Sequence, residues 1–123
     1  MIGNRLLAGV AALSGAMAVG LGAFAAHGAG PAVKTLLTTG AHYQIVHALL
    51  ALLCAVVAAR GRLWTAAGWL AVAGGLVFAL ALSAIGLLGV RAMGAVAPVG
   101  GVLMIAAWIL VALAALRPSS RSA

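Results

Sequence analysis

Four long runs of this chain carry no charged side chain, and together they account for most of its length. They cover about residues 6–26, 41–59, 63–88 and 97–116. At about 1.5 Å per residue, a helix made from any of them is long enough to cross a hydrocarbon core of roughly 30 Å. Composition agrees: 67% of the residues are hydrophobic and 6% are charged, where soluble domains carry about 25% charged residues. The expected fold is an all-α integral membrane four-helix bundle, built as a single domain over residues 1–123.

The charges that remain are all of one sign. Seven Lys and Arg stand against no Asp or Glu. They are scattered singly or in a pair, with no basic stripe, so nucleic acid is not an expected partner. Arginines between apolar runs read as topology signals instead. With four spans, Arg5, Arg60, Arg62, Arg117 and Arg121 lie on one side, and Lys34 and Arg91 on the other. Short loops with that bias predict a bacterial inner-membrane protein with both termini cytoplasmic, including a tail over residues 117–123. The lack of carboxylates removes an acidic general base, a hard-metal ligand and a membrane-embedded acid for proton relay. Cys54 is the single cysteine, so no internal disulfide forms; it is expected as a small core residue.

Arg5, the first apolar run and Ala23-Phe24-Ala25 have the outline of a signal peptide. The run is longer than a usual signal core, so it is expected to stay as the first span.

The breaks between runs have local causes. Gly28-Ala29-Gly30-Pro31 ends the first span, and Pro31 suits the first position of a new helix. Over residues 31–39, Val33, Leu36 and Leu37 share a face opposite Lys34, Thr35 and Thr38. That pattern predicts a short amphipathic surface helix between spans one and two, with Gly40 as the turn into span two. Arg60-Gly61-Arg62 is a tight turn, Pro98 starts span four and Pro118 follows its end. Trp64 and Trp69 fall toward the interface at one end of span three, as in an aromatic belt. Trp108 falls deeper.

Small residues recur every four positions on two spans. Ala8, Ala12, Ala16 and Gly20 form one ladder; Ala67, Ala71, Gly75, Ala79 and Ser83 form another. Such ladders let helix backbones approach closely and are the expected packing faces, within the bundle or against another chain.

Polar side chains are few at membrane depth: Ser14, His42, Tyr43, Gln44, His47, Cys54 and Ser83, with His27 at the edge of span one. Polar groups in hydrocarbon are costly unless paired, so each is a functional candidate. Tyr43, Gln44 and His47 share a broad helix face. With His27 and Ser83 they are expected in the outer half of the bundle, around glycine openings such as Gly100 and Gly101. Two readings of this cluster stand: a shallow outward-facing site, or interhelical ties that specify packing. No metal or cofactor is expected. There is no His-x-x-x-His pair, and Cys54 lies about 10 Å along the helix from His47.

Three segments carry a resemblance to a known family. Gly22-Ala23-Phe24-Ala25-Ala26-His27-Gly28 resembles a Gly-Ala-Phe-Gly-Ala-His-Gly signature. Tyr43-Gln44-Ile45-Val46-His47-Ala48-Leu49 resembles Tyr-Gln-x-x-His-Ala-Leu, and Ala97-Pro98-Val99-Gly100-Gly101 resembles Thr-Pro-Ile-Gly-Gly. These are signatures of the small membrane proteins grouped as domain of unknown function family 423, which includes the eukaryotic transmembrane protein 256. The stretch from Gly75 to Gly89 is similar to the family's third span, but Leu80-Ala81-Leu82-Ser83-Ala84 keeps one serine where the family often has Phe-Ser-Gly-Ser. The resemblance implies the four-span fold, singles out His27, Tyr43, Gln44 and His47, and supplies no activity. The expectation is therefore a non-enzymatic structural or accessory protein. It would contact membrane lipid and either self-associate or join a larger membrane complex. Alternatives are a small-molecule or ion transporter with an outward polar site, or a cofactor- or metal-binding subunit using His27 and His47.

Overall fold

The computed structural model describes residues 2–118. Arg121 and most of the expected tail lie outside the described residues. Among the described residues are four long helices, α1 (Ile2–His27), α2 (Pro31–Val56), α3 (Arg62–Leu88) and α4 (Ala97–Leu116). All four are long and apolar enough to cross a membrane. Short connections make neighbours antiparallel. One turn of 3-10 helix, Ala58–Arg60, joins α2 to α3, and another, Arg91–Ala95, joins α3 to α4. α2 and α3 form the middle of the bundle, with α1 against α2 and α4 against α3. Arg5, Arg60, Arg62 and Arg117 fall at one end, called the basic end below; His27, Lys34 and Arg91 fall at the other.

Helix ends follow their residues. α2 starts at Pro31, whose missing N–H costs nothing in a first turn. α3 stops at Gly89, which adopts a left-handed conformation at φ 68° that costs other residues steric strain. There the Gly89 N–H donates to the Ile85 carbonyl at 3.1 Å, and the Val90 N–H to the Ala84 carbonyl at 3.3 Å.

The expected connection between spans one and two is corrected. The segment over residues 31–39 is not a separate surface helix: α2 runs unbroken from Pro31 to Val56. Its apolar face is real but packs on α3. A methyl group at Gly86 would meet Leu37, Val33 and Leu36 at 3.0 to 3.6 Å. Gly40 is no turn either. It is buried within α2, and a methyl there would lie 3.2 Å from the Ala79 Cα. On α1 the small-residue ladder, expected to pack within the bundle or against another chain, faces away from the bundle. Ala12, Ala16 and Gly20 are exposed, and Ala8 is only partly buried. The packing face is offset by one residue and holds Leu7, Ala11, Ser14, Ala18 and Ala25. Gly15 and Gly22 lie beside Ala48 and Ala41 of α2.

The ladder on α3 lies in the interface with α2. Ala67, Ala71, Gly75 and Ala79 are all buried there, and Ser83 is partly buried farther along. Cys54 is fully buried among Leu7, Ala51, Ala67 and Ala71. Nearby, Gly68 leaves room for the Leu7 and Cys54 side chains.

The tightest approach joins α3 to α4. A methyl at Gly100 would sit 2.6 Å from the Phe78 backbone nitrogen, and one at Gly74 would sit 2.8 Å from the Met104 nitrogen. Neither obstacle is a flexible side-chain tip, so the helices themselves would have to part. Gly101 next door has nothing within 4 Å of such a methyl. Gly100→Ala is therefore expected to destabilise the bundle by about 1–3 kcal/mol, as overpacking does. Gly101→Ala is expected to leave stability unchanged or slightly raised, because alanine is the better helix former. Thermal unfolding of both variants in mild detergent checks this; equal effects would contradict the assigned contact.

Candidate functional site

Ser14, Gln44 and Gly75 stand at the midpoints of α1, α2 and α3. The packing of α2 on α3 makes this level possible. Gly75 has no side chain, so the Gln44 and His47 face of α2 lies directly on it; a methyl would touch the Gln44 Cα and the His47 Cβ at 3.4 Å. Gln44 is fully buried, Ser14 is 3% exposed and His47 is 4% exposed. Amide, hydroxyl and imidazole thus meet in the centre of the membrane domain, where unpaired polar groups are costly.

Most of their needs are met within the bundle. The Gln44 Nε2 donates to the Ser14 Oγ at 3.2 Å, joining α2 to α1. The Trp108 Nε1–H donates to the His47 Nε2 at 2.9 Å, joining α4 to α2. An indole N–H is only a donor, so the His47 Nε2 must offer a lone pair. The proton of the neutral ring then sits on Nδ1, which lies 2.7 Å from the Tyr43 carbonyl oxygen and donates to it. These two bonds assign the tautomer and leave neither ring nitrogen free. The Gln44 Oε1 is buried without a hydrogen-bond partner among the described residues.

Aromatic rings close around the histidine. The His47 and Trp108 rings meet edge to face at 6.0 Å. The Tyr43 ring meets Phe78 of α3 edge to face at 5.3 Å. Tyr43 is itself 45% exposed on the outside of the bundle.

Of the five candidate residues, the structure brings Gln44 and His47 into one buried centre, with Tyr43 at its margin. The other two lie elsewhere. His27 is exposed in the last turn of α1, about 20 Å along that helix from Ser14. Ser83 is about two turns beyond Gly75 on α3 and partly buried. His27 and His47 are thus too far apart to share one metal ion or cofactor edge. The expected polar outer half is a polar middle instead, because α2 begins ten residues earlier than the expected span and carries Gln44 and His47 inward. Two surface clefts are lined by other residues: an apolar groove between α1 and α2, and a basic cleft at the end near Arg60.

Sequence reasoning missed Ser14 and Trp108 as members of the centre. Trp108 carried a usable signal: an indole placed away from both interfacial belts must find an acceptor for its N–H. The mid-span imidazole was the available partner.

A four-helix, multi-pass bundle with a hydrogen-bonded polar centre defines a small integral membrane protein. The chain belongs to the DUF423 family: the family model, described as "Protein of unknown function (DUF423)", matches residues 21–101. That stretch includes all three resembling segments. The chain is 35% identical over 114 residues to UPF0382 membrane protein YwdK of Bacillus subtilis (strain 168), covering 86% of this chain and 92% of that protein. It is 34% identical over 110 residues to a UPF0382 membrane protein of Staphylococcus aureus (strain bovine RF122), covering 84% and 88% respectively. No solved structure matches.

The His47–Trp108 bond is open to a direct measurement. Either His47→Leu or Trp108→Phe leaves the other partner unpaired, whereas the double variant removes both. The double variant is expected to be more stable than the two single losses add up to, with a coupling of about 0.6–1.7 kcal/mol, the range for interhelical bonds in membranes. Strictly additive losses in a double-mutant unfolding cycle would show that the bond contributes nothing.

Proposed function

We propose that the protein is a non-enzymatic accessory subunit of the bacterial inner membrane, with both ends cytoplasmic, that joins a larger membrane assembly through α1. The supporting observation is the ladder of Ala12, Ala16 and Gly20, which faces away from the bundle. A methyl at Gly20 would meet nothing within 4 Å. Beside the ladder runs the apolar groove of about 190 Å³, lined in part by Gly15, Ala16, Ala48 and Leu52. Small residues on a lipid-facing surface forgo the contacts that larger side chains would make with acyl chains, and they admit another transmembrane helix closely. The occupant is a helix of the same chemistry, from a second copy or from another subunit. The transporter reading has less support, since the imidazole it would use is engaged at both nitrogens and neither cleft includes it.

The orientation rests on the arginines at the basic end, whose excess over Lys34 and Arg91 favours the cytoplasmic side. A carboxy-terminal fusion to alkaline phosphatase is expected to be inactive and one to green fluorescent protein bright. The opposite pattern would reverse the assignment.

The α1 contact is tested by cross-linking in native membranes. In a Cys54→Ala background, Ala16→Cys is expected to give a cross-linked species, a homodimer or a heteromeric adduct. Ile105→Cys, on an exposed face of α4, is expected to give none. Equal yields from both positions, or none from Ala16→Cys, would remove α1 as the docking face.

A further inference from the structure

The basic end holds a feature that neither helix packing nor the α1 docking face uses. A cleft of about 840 Å³ opens between the α2–α3 turn, the start of α3 and the end of α4. Three segments send an arginine to its wall: Arg60 from the turn, Arg62 from the first residue of α3 and Arg117 from the residue after α4. The chain has no Asp or Glu at all, so no side-chain carboxylate of its own can pair with any of the three. Three exposed arginines around one cleft, with no side-chain carboxylate in the chain to pair with them, make a positive surface that favours an external anion. The first backbone N–H groups of α3 add to this field, since no side chain caps them.

The remaining walls narrow the chemistry of that anion. Leu63, Trp64, Ala114 and Ala115 line the cleft beside the arginines. Trp64 also packs against the bundle core, which places an indole where membrane and water meet. Past the cleft, Leu113 and Leu116 are exposed along the lipid-facing side of α4. A ligand suited to this surface has a phosphate at one end and hydrocarbon at the other. Guanidinium forks match phosphate oxygens in pairs, which an ammonium does not.

We propose that this cleft is a binding site for an anionic membrane phospholipid, of the phosphatidylglycerol or cardiolipin type. Its phosphate sits between Arg60, Arg62 and Arg117, and its acyl chains run down the exposed face of α4. The site is independent of the α1 docking face. It requires only that the basic end lie at a headgroup layer.

The experiment is a lipid titration of the full-length protein in mild detergent, read by native mass spectrometry, with phosphatidylglycerol and phosphatidylcholine as paired probes. Phosphatidylglycerol is expected to bind at least about tenfold more tightly. Arg62→Gln and Arg117→Gln are each expected to weaken it about fivefold while leaving phosphatidylcholine unchanged. Arg91→Gln, at the opposite end, is the control and is expected to change neither. Because removing arginines can disturb insertion, Arg62→Lys with Arg117→Lys is the second test. It keeps the charge and so the topology, and is expected to lose several-fold in phosphatidylglycerol affinity through loss of the paired hydrogen bonds. Equal binding of the two lipids by the unaltered protein would overturn the proposal, as would Gln and Lys variants that keep full preference. Displacement of phosphatidylglycerol by millimolar inorganic phosphate would overturn the lipid assignment in favour of a free-anion site.

Discussion

Where α3 meets α4 the two backbones touch, and the space that a methyl group would need at Gly74 or Gly100 is already filled by main-chain atoms of the other helix. In lipid this kind of contact carries unusual weight. Acyl chains are as apolar as the side chains they would replace, so little hydrophobic force draws helices together. What remains is dispersion between closely fitted surfaces, which falls away within a fraction of an ångström. α3 exploits this on two faces. Gly74 and Gly75 are consecutive, hence about 100° apart around the helix. The first admits α4, and the second admits α2. Ala79 and Gly40 extend the second contact by another turn. The bundle is thus organised around α3, with α1 packed mainly on α2 and touching α3 where Leu7 meets Gly68.

The polar centre follows from that arrangement. Once α2 lies on Gly75, its Gln44 and His47 side chains are enclosed midway along the bundle, with α1 to one side and α4 to the other. α1 and α4 have no substantial interface with each other. Their polar connection runs through α2: Ser14 to Gln44, and Trp108 to His47. Each bond is modest in energy, but each fixes the rotation and depth of one helix relative to another. Small-residue packing fixes these less strictly, because an alanine-rich face fits several registers. A second small-residue face of α1, through Ala12 and Ala16, points away from the bundle. Ser14, paired with Gln44, marks the face that was selected.

Part of this architecture was legible in the sequence and part was not. The four spans were readable because absence of charge over about twenty residues has almost no other cause. On α3 the period of four runs through Ala67, Ala71, Gly75 and Ala79, all buried, but it passes over Gly74, where α4 makes its close approach. On α1 the sequence left open which small residues pack within the bundle, because that helix is rich in Ala and Gly on every face, and a period of four cannot choose between neighbours offset by one residue. Residues 31–40 were misread because Gly40 is a turn signal in water, whereas in a packed membrane helix it is a point of close approach. Extending α2 by that segment shifts Gln44 and His47 from the outer part of a shorter span to the middle of a longer helix. The partners of those residues were hidden because they come from α1 and α4, and nothing local in the sequence pairs Ser14 with Gln44 or Trp108 with His47.

The segments that carry the family resemblance take on a physical meaning in this light. Gly22 and Ala25 lie on the packing face of α1, and Gly28 leaves room for the Phe24 ring at the helix end. Gln44 and His47 are the ties, and Gly100 is the point where α4 meets α3. The shared residues therefore describe how the bundle is assembled more directly than they describe a reaction. His27 is the exception: it is exposed at a helix end and takes no part in the centre. With the interior imidazole bonded at both nitrogens, the groups left free to meet other molecules are at the periphery. Among them are the outward ladder on α1 and the arginines at the basic end. The two surfaces differ in kind: one is a helix face without side-chain bulk, the other a group of cations in a chain without side-chain carboxylates.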